Sequence, residues 1–420
     1  MRKKIICILL IILIVAMPQV NLAVDDDDID YIWLQEEITA AKETDEPKVY
    51  SKAAVVFDRG SKTILYGKNE NEKLAMASTT KIMTAILLVE NRDLSEEVEV
   101  VKEAASVGGS SLELKTGDKI TFENLLYGLM LCSGNDAAAQ IAISIAGSIE
   151  EFADLMNAKA ESLGLENTHF ITPHGLDEEG HYTTAYELAL IADYALKLPK
   201  IAEVVATKTY TITINGYPKT LTNTNELLGY LEGVNGVKTG FTFNAGRCLV
   251  TSCNRDGFNI ITVVLGADTK KIRTKDSISL IEYTYKNFEQ VDLESIVQEE
   301  FLKWKDLNSN RISIAKGIEN TVNAKLGEIK YKKYPVKKEE KDSIIIKSNA
   351  GNLRLEAPVK KGLLLGNIEV KIADNLIMNV EISTAKWVGR KGIMDYMRHF
   401  RSILGTPSKK DLEIAKTGDL

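Results

Sequence analysis

The sequence predicts a mixed α/β protein of the α+β type. A large domain with a central antiparallel sheet and a helical region comes first. A small all-β domain and a C-terminal amphipathic helix follow. Three observations carry this reading. Between about 48 and 288, strand-like and helix-like patterns alternate. Over 291–385 short strands recur between turn signals, charges are frequent and helical patterns are scarce. Over 386–404, Trp387, Ile393, Met394, Met397, Phe400, Ile403 and Leu404 are interleaved with Lys386, Arg390, Lys391, Arg398 and Arg401, the pattern of one amphipathic helix.

The elements follow in order. Arg2, Lys3 and Lys4 precede an uncharged apolar run over 5–17, closed by Pro18. This reads as a signal peptide over 1–23, with Ala23 a small residue for cleavage and Asn21 a poor match before it. The run is short for a membrane span, and an uncleaved anchor is the alternative. The segment 24–47 opens on four aspartates and reads as a polar, disordered leader. A hairpin is expected at 53–58 and 63–66 around Gly60-Ser61. The stretch 82–89 is apolar nearly all round, as a central buried helix requires. Helical runs at 125–131 and 137–145 are separated by Ser133-Gly134-Asn135-Asp136. Further helices are expected at 150–163 and 186–196, strands at 234–242, 248–253 and 259–265, and a closing helix at 275–288. The larger domain thus spans 48–290 and the smaller 291–385, with strands at 343–347, 353–355, 368–372 and 378–382. Residues 405–420 form a polar tail.

Composition narrows the function. The chain has 420 residues, enough for two or three domains, and a net charge of −7. That charge gives no footprint for nucleic acid, and it restricts membrane attachment to a local feature. Cys132, Cys248 and Cys253 remain once Cys7 leaves with the signal. Cys248 and Cys253 are an odd number of residues apart and face opposite ways on one strand, so no bridge is expected. The four histidines form no metal motif. No metal and no cofactor are called for.

Three short motifs carry the chemistry. In Ser78-Thr79-Thr80-Lys81 a helix start places Lys81 one turn from Ser78 on the same face. A serine hydroxyl needs a base within hydrogen-bond reach, and a lysine serves once burial lowers its pKa. Ser133-Gly134-Asn135 sits in a helix break, where the Ser133 hydroxyl can relay a proton and the Asn135 amide can hold a substrate amide. Lys238-Thr239-Gly240, at the start of a late strand, offers a charge, a hydroxyl donor and a surface without a side chain, so a peptide can lie along the strand edge. Two other Lys-Thr-Gly triplets begin at Lys115 and Lys416. The first reads as a turn and the second lies in the tail, so context selects Lys238. His174, between turn residues, reads as a loop former, and Cys132 as a small apolar residue.

In this order, S-x-x-K, S-x-N and K-T-G form the motif set of active-site-serine penicillin-binding proteins and β-lactamases. The chain resembles the D-alanyl-D-alanine carboxypeptidases, the low-molecular-weight penicillin-binding proteins. The resemblance is carried by ASTTKIMTA at 77–85, CSGNDA at 132–137, TPHGLD at 172–177 and GVKTGFTFNAG at 236–246. It implies a β-lactamase/transpeptidase-like fold for the larger domain. It implies that Ser78 attacks the carbonyl between two D-alanines of a peptidoglycan stem pentapeptide, and that Lys81 takes the serine proton. Ser133, Asn135 and Lys238 complete the network. Thr239 and Arg273 bind the terminal carboxylate. Gly240 lines the strand, and the N–H groups of Ser78 and Phe241 form the oxyanion hole. β-Lactam antibiotics are the implied acylating inhibitors. The C-terminal helix is the implied contact with the outer face of the cytoplasmic membrane.

Two alternatives remain at this point. A β-lactamase needs a deacylating group. Glu166 and Glu187 lie between the second and third motifs, but neither sits in a Glu-x-x-Leu-Asn context. A non-catalytic cell-wall protein is at odds with the intact motifs.

Overall fold

The computed structural model describes residues 29–403. The expected signal peptide, the acidic run and the polar tail lie outside the described residues. The chain divides into two compact units. One comprises 1–57, 64–255 and 260–283, the other 58–63, 256–259 and 284–420.

In the first unit a five-stranded sheet has the order Ile64–Lys68, Ala53–Asp58, Phe258–Ala267, Gly246–Arg255, Val234–Thr242. Its last pair is antiparallel, with Lys238 opposite Val250 and Gly240 opposite Cys248. Among the described residues Val234–Thr242 is an edge strand, so one side of its backbone lacks a strand neighbour there. Lys238 lies in the middle of this strand, not at its start as expected. The helix Lys81–Asn91 is buried on nearly every side from Lys81 to Leu88, as its all-round apolar sequence demands. It shares a core with helices Phe122–Leu131, Asn135–Ala146 and Ala185–Ala195. Cys248 and Cys253 are both buried and are not joined in a disulfide.

The segment read as a disordered leader contains the helix Tyr31–Glu43. Asp30 caps it by accepting from the Trp33 N–H at 2.8 Å. Leu34, Ile38 and Ala41 fall on one face and are buried. The acidic surroundings hid this stripe.

The second unit is built on an antiparallel sheet in the order Ala324–Leu326, Asn375–Thr384, Leu364–Ile372, Ile344–Ala350. The helix Leu293–Asn308 was not foreseen. It sends Leu293, Val297 and Trp304 into the same core as Ile368, Val370, Val380 and Ile382. The C-terminal helix is shorter than the expected 386–404 and runs Ile393–Ile403. Val388 is buried instead and exchanges two 2.9 Å backbone hydrogen bonds with Val359. A buried, paired valine outweighs one more exposed turn, and Gly389 and Gly392 are poor helix formers. Along the helix, Ile393, Met394, Met397 and Phe400 are exposed. No helix among the described residues is long and apolar enough to cross a membrane.

Candidate active site

The site begins with a turn. Residues Ala77–Thr80 form a 3-10 helix that runs directly into Lys81–Asn91. Three residues per turn place residues i and i+3 one above the other, so Lys81 lies over Ser78. The Lys81 Nζ is 2.8 Å from Ser78 Oγ, 2.8 Å from Asn135 Oδ1 and 2.7 Å from the His174 carbonyl. Lys81 is fully buried while Ser78 is half-buried at a cleft. Burial lowers the Lys81 pKa well below that of an ordinary lysine, and the charge of Lys238 lowers it further. Two of its three neighbours are carbonyl oxygens, which can only accept. A neutral amine has two N–H donors and one lone pair. The carbonyls take the donors, and the lone pair is left for the Ser78 hydroxyl.

The turn is braced from outside. Ala77 sits at φ 48°, a left-handed conformation that costs about 1 kcal/mol or more for a residue with a Cβ. Thr80 Oγ1 donates to the Ala77 carbonyl at 2.7 Å and lies 2.8 Å from His181 Nε2. His181 Nδ1 accepts from the Ile171 N–H at 2.9 Å. Gly175, at φ 81°, presses on the same turn: a Cβ there would lie 1.9 Å from the Ala77 oxygen. Only glycine fits. His174 is held neutral, its pKa pushed down to about 3 by burial and by the Lys81 charge. Its Nδ1 accepts from the Leu176 N–H. His174 and His181, pushed down to about 4 chiefly by burial, are scaffold.

Asn135 is fixed by donating from Nδ2 to the Gly108 carbonyl at 2.7 Å. Ser133, at φ 64°, is buried in the break between helices Phe122–Leu131 and Asn135–Ala146 and lines the cleft. The edge strand closes the other wall. A Cβ on Gly240 would meet Met76 O, Ser78 N and Thr79 N at 3.1 Å each. Strand and nucleophile turn are therefore in backbone contact. Lys238 is buried and donates to the Thr239 carbonyl at 3.1 Å. Burial lowers its pKa to about 8; the Arg273 charge acts in the same direction and the Cys132 thiol opposes it.

The cleft has a volume of about 400 Å³, and Ser78, Ser133, Thr239, Gly240, Phe241 and Arg273 all line it. Every residue expected from the three motifs thus lies in or directly behind one cleft. A larger hollow of about 660 Å³, bordered by Asp292, Glu294, Lys330 and Lys333, holds no paired nucleophile and base. Sequence reasoning missed Thr224, whose hydroxyl is 2.6 Å from that of Thr239. It missed Glu226, which pairs with Arg273 at 2.6 Å. It also missed Arg247, whose guanidinium lies 3.8 Å from the centre of the Phe241 ring. The polar run Asn223-Thr224-Asn225-Glu226 was the one available signal for the first two.

A serine held by a buried lysine beside a bare strand edge defines an acyl-transfer enzyme of the active-site-serine, S-x-x-K class. The chain belongs to the D-alanyl-D-alanine carboxypeptidase family, whose model matches residues 40–269. Residues 305–390 match the C-terminal domain of penicillin-binding protein 5. A D-alanyl-D-alanine carboxypeptidase of Bacillus subtilis, DacF, is 34% identical over 85% of this chain and 90% of its own length. DacC of Escherichia coli is 33% identical over 79% and 83%. Penicillin-binding protein 5 of Haemophilus influenzae aligns in structure with a TM-score of 0.68 at 26% identity, over 83% of this chain and 100% of that one. The protein is a serine-type D-Ala-D-Ala carboxypeptidase with a penicillin-binding-protein fold.

Proposed function

We propose that Ser78 is the residue acylated when the enzyme removes the terminal D-alanine from a peptidoglycan stem pentapeptide, with Lys81 as its base. The observation that carries this is the environment of Lys81: a lowered pKa, two obligate acceptors and one hydroxyl. Neutral Lys81 takes the Ser78 proton as Oγ attacks the penultimate D-alanine carbonyl. The N–H groups of Ser78 and Phe241 receive the oxyanion, where charge develops only in the transition state. The bond to the terminal D-alanine breaks, and its amine leaves with a proton relayed through Lys81 and Ser133. Thr239 and Arg273 hold the departing carboxylate, and Lys238 adds positive charge. Asn135 holds the substrate amide. Water then cleaves the ester and regenerates Ser78. β-Lactams acylate the same hydroxyl.

The arrangement favours the carboxypeptidase over a β-lactamase. The Glu187 carboxylate accepts from the N–H groups of Glu166 and Asn167 and from Thr168 Oγ1, and neither Glu187 nor Glu166 lines the cleft. The deciding assay compares D-alanine release from a pentapeptide with turnover of benzylpenicillin. Sustained D-alanine release with a long-lived penicillin adduct is expected. Rapid penicillin turnover without D-alanine release would favour the lactamase.

We also propose export through the segment 1–23, and attachment to the outer face of the cytoplasmic membrane through the helix Ile393–Ile403. Its exposed Ile393, Met394, Met397 and Phe400 beside cations support an interfacial role. Deleting 393–420 is expected to release the protein from the membrane fraction; unchanged membrane retention would count against this attachment.

A further inference from the structure

We propose that Glu226 is a specificity-determining gate on the carboxylate pocket. Its carboxylate sits on Arg273 where the substrate's terminal carboxylate would bind, and it yields when substrate enters. This rests on the reading of Arg273 as the holder of that carboxylate.

Arg273 is only 3% exposed, and its side chain lines the cleft beside Thr239. Its Nη2 donates to Glu226 Oε2 at 2.6 Å and to Thr274 Oγ1 at 3.2 Å. A guanidinium offers a carboxylate two edges for bidentate capture. One pairs Nε with Nη2, the other Nη1 with Nη2. Nη2 belongs to both, and the chain's own groups already occupy it. Two parallel hydrogen bonds to an incoming carboxylate therefore require Glu226 or Thr274 to give way. Arg273 Nε is buried without a hydrogen-bond partner, so one edge is only half used.

Glu226 is the group able to move. Its side chain is 26% exposed against 3% for Arg273, whereas Thr274 is fully buried. The backbone beneath Glu226 is fixed. Buried Asn225 donates to the Gly236 carbonyl at 3.0 Å and accepts from the Leu227 N–H at 3.1 Å. Rotation of one side chain is sufficient to open the site. The same loop presents Thr224 to Thr239 at 2.6 Å, so it touches both groups assigned to the carboxylate. Arg247 and Lys270 line the same cleft and keep its field favourable to an anion. Glu226 thus opposes carboxylate capture within a site otherwise built to attract it.

The test uses the full chain with Glu226→Gln and Glu226→Ala. Two substrates are compared, a peptide ending in D-Ala-D-Ala with a free carboxylate and the same peptide as its C-terminal amide. For the acid, kcat/KM is expected to rise about three- to tenfold, mainly through KM, while the amide changes by less than about twofold. Glu226→Asp keeps the charge and shortens its reach. It is expected to give a smaller gain, and it serves if the neutral variants lose structure. A fall or no change for the acid, or an equal rise for both substrates, overturns the gate. Arg273→Gln separates the two levels. If it leaves the acid-to-amide ratio unaltered, the Arg273 reading itself fails. If it lowers that ratio while Glu226→Gln does not raise it, only the gate fails.

Discussion

The nucleophile turn and the edge strand meet at one cleft, and each buries a lysine, but they hold it differently. Lys81 has three neighbours within 2.8 Å, two of them fixed carbonyl acceptors. Lys238 donates to the carbonyl of its own neighbour, Thr239, at 3.1 Å. Burial lowers both pKa values, that of Lys81 far below normal and that of Lys238 to about 8. The first environment suits a neutral amine that accepts a proton. The second leaves a cation through neutral pH, able to attract an anion. In the proposed mechanism the same side chain serves as base in one wall and as charge in the other, and its neighbours decide which.

Replacing Lys81 tests the difference most severely. Lys81→Met removes the base and is expected to slow acylation of Ser78 about 10²- to 10⁴-fold, read by stopped-flow with a chromogenic β-lactam. Lys238→Met leaves the base in place, so its loss should be smaller and fall more on KM for acidic substrates. Equal losses in kcat for the two variants would erase the distinction.

Gly240→Ala tests the contact between the walls. A Cβ placed 3.1 Å from Met76 O, Ser78 N and Thr79 N parts the strand and the turn by a few tenths of an ångström. A full 1 Å misplacement costs up to about 10²-fold in rate, so a few tenths of an ångström costs about two- to fivefold. Penicillin acylation is expected to slow about two- to fivefold. An unchanged rate would show that the oxyanion site does not depend on this packing.

The pH profile gives the smallest and sharpest effect. Lys81 must be neutral, so activity rises with pH through its lowered pKa. Lys238 must be charged, so kcat/KM for an acidic substrate falls as pH rises through about 8. Lys238→Arg keeps its charge and is expected to move only the falling limb, beyond pH 10 or so. A falling limb unmoved by this substitution would remove Lys238 from the carboxylate site.

Much of this was legible in the sequence because it is local. The i, i+3 spacing of Ser78 and Lys81 survives any fold that makes a helix there. The strand 234–242 matched its expected bounds because Gly and Asn flank a run of period two. What escaped depends on long-range partners. Glu226 and Arg273 are 47 residues apart, and no spacing rule links them. Gly175 looked like an ordinary turn glycine until the Ala77 carbonyl was found against it. The triplet at Lys115 differs from that at Lys238 only in setting. Gly117 closes a turn at φ 87°, whereas Gly240 lies in an edge strand. The C-terminal helix was overextended because Val388 pairs with Val359, a partner the local pattern does not reveal.

The most direct test of the central claim is peptide mapping after penicillin acylation. Trypsin cuts after Lys73 and Lys81, so Ser78 lies in the peptide 74–81. One penicilloyl group on Ser78 in that peptide, absent in Ser78→Ala, is the expected result. An adduct on Ser133 or Cys132, or labelling that persists in Ser78→Ala, would contradict it.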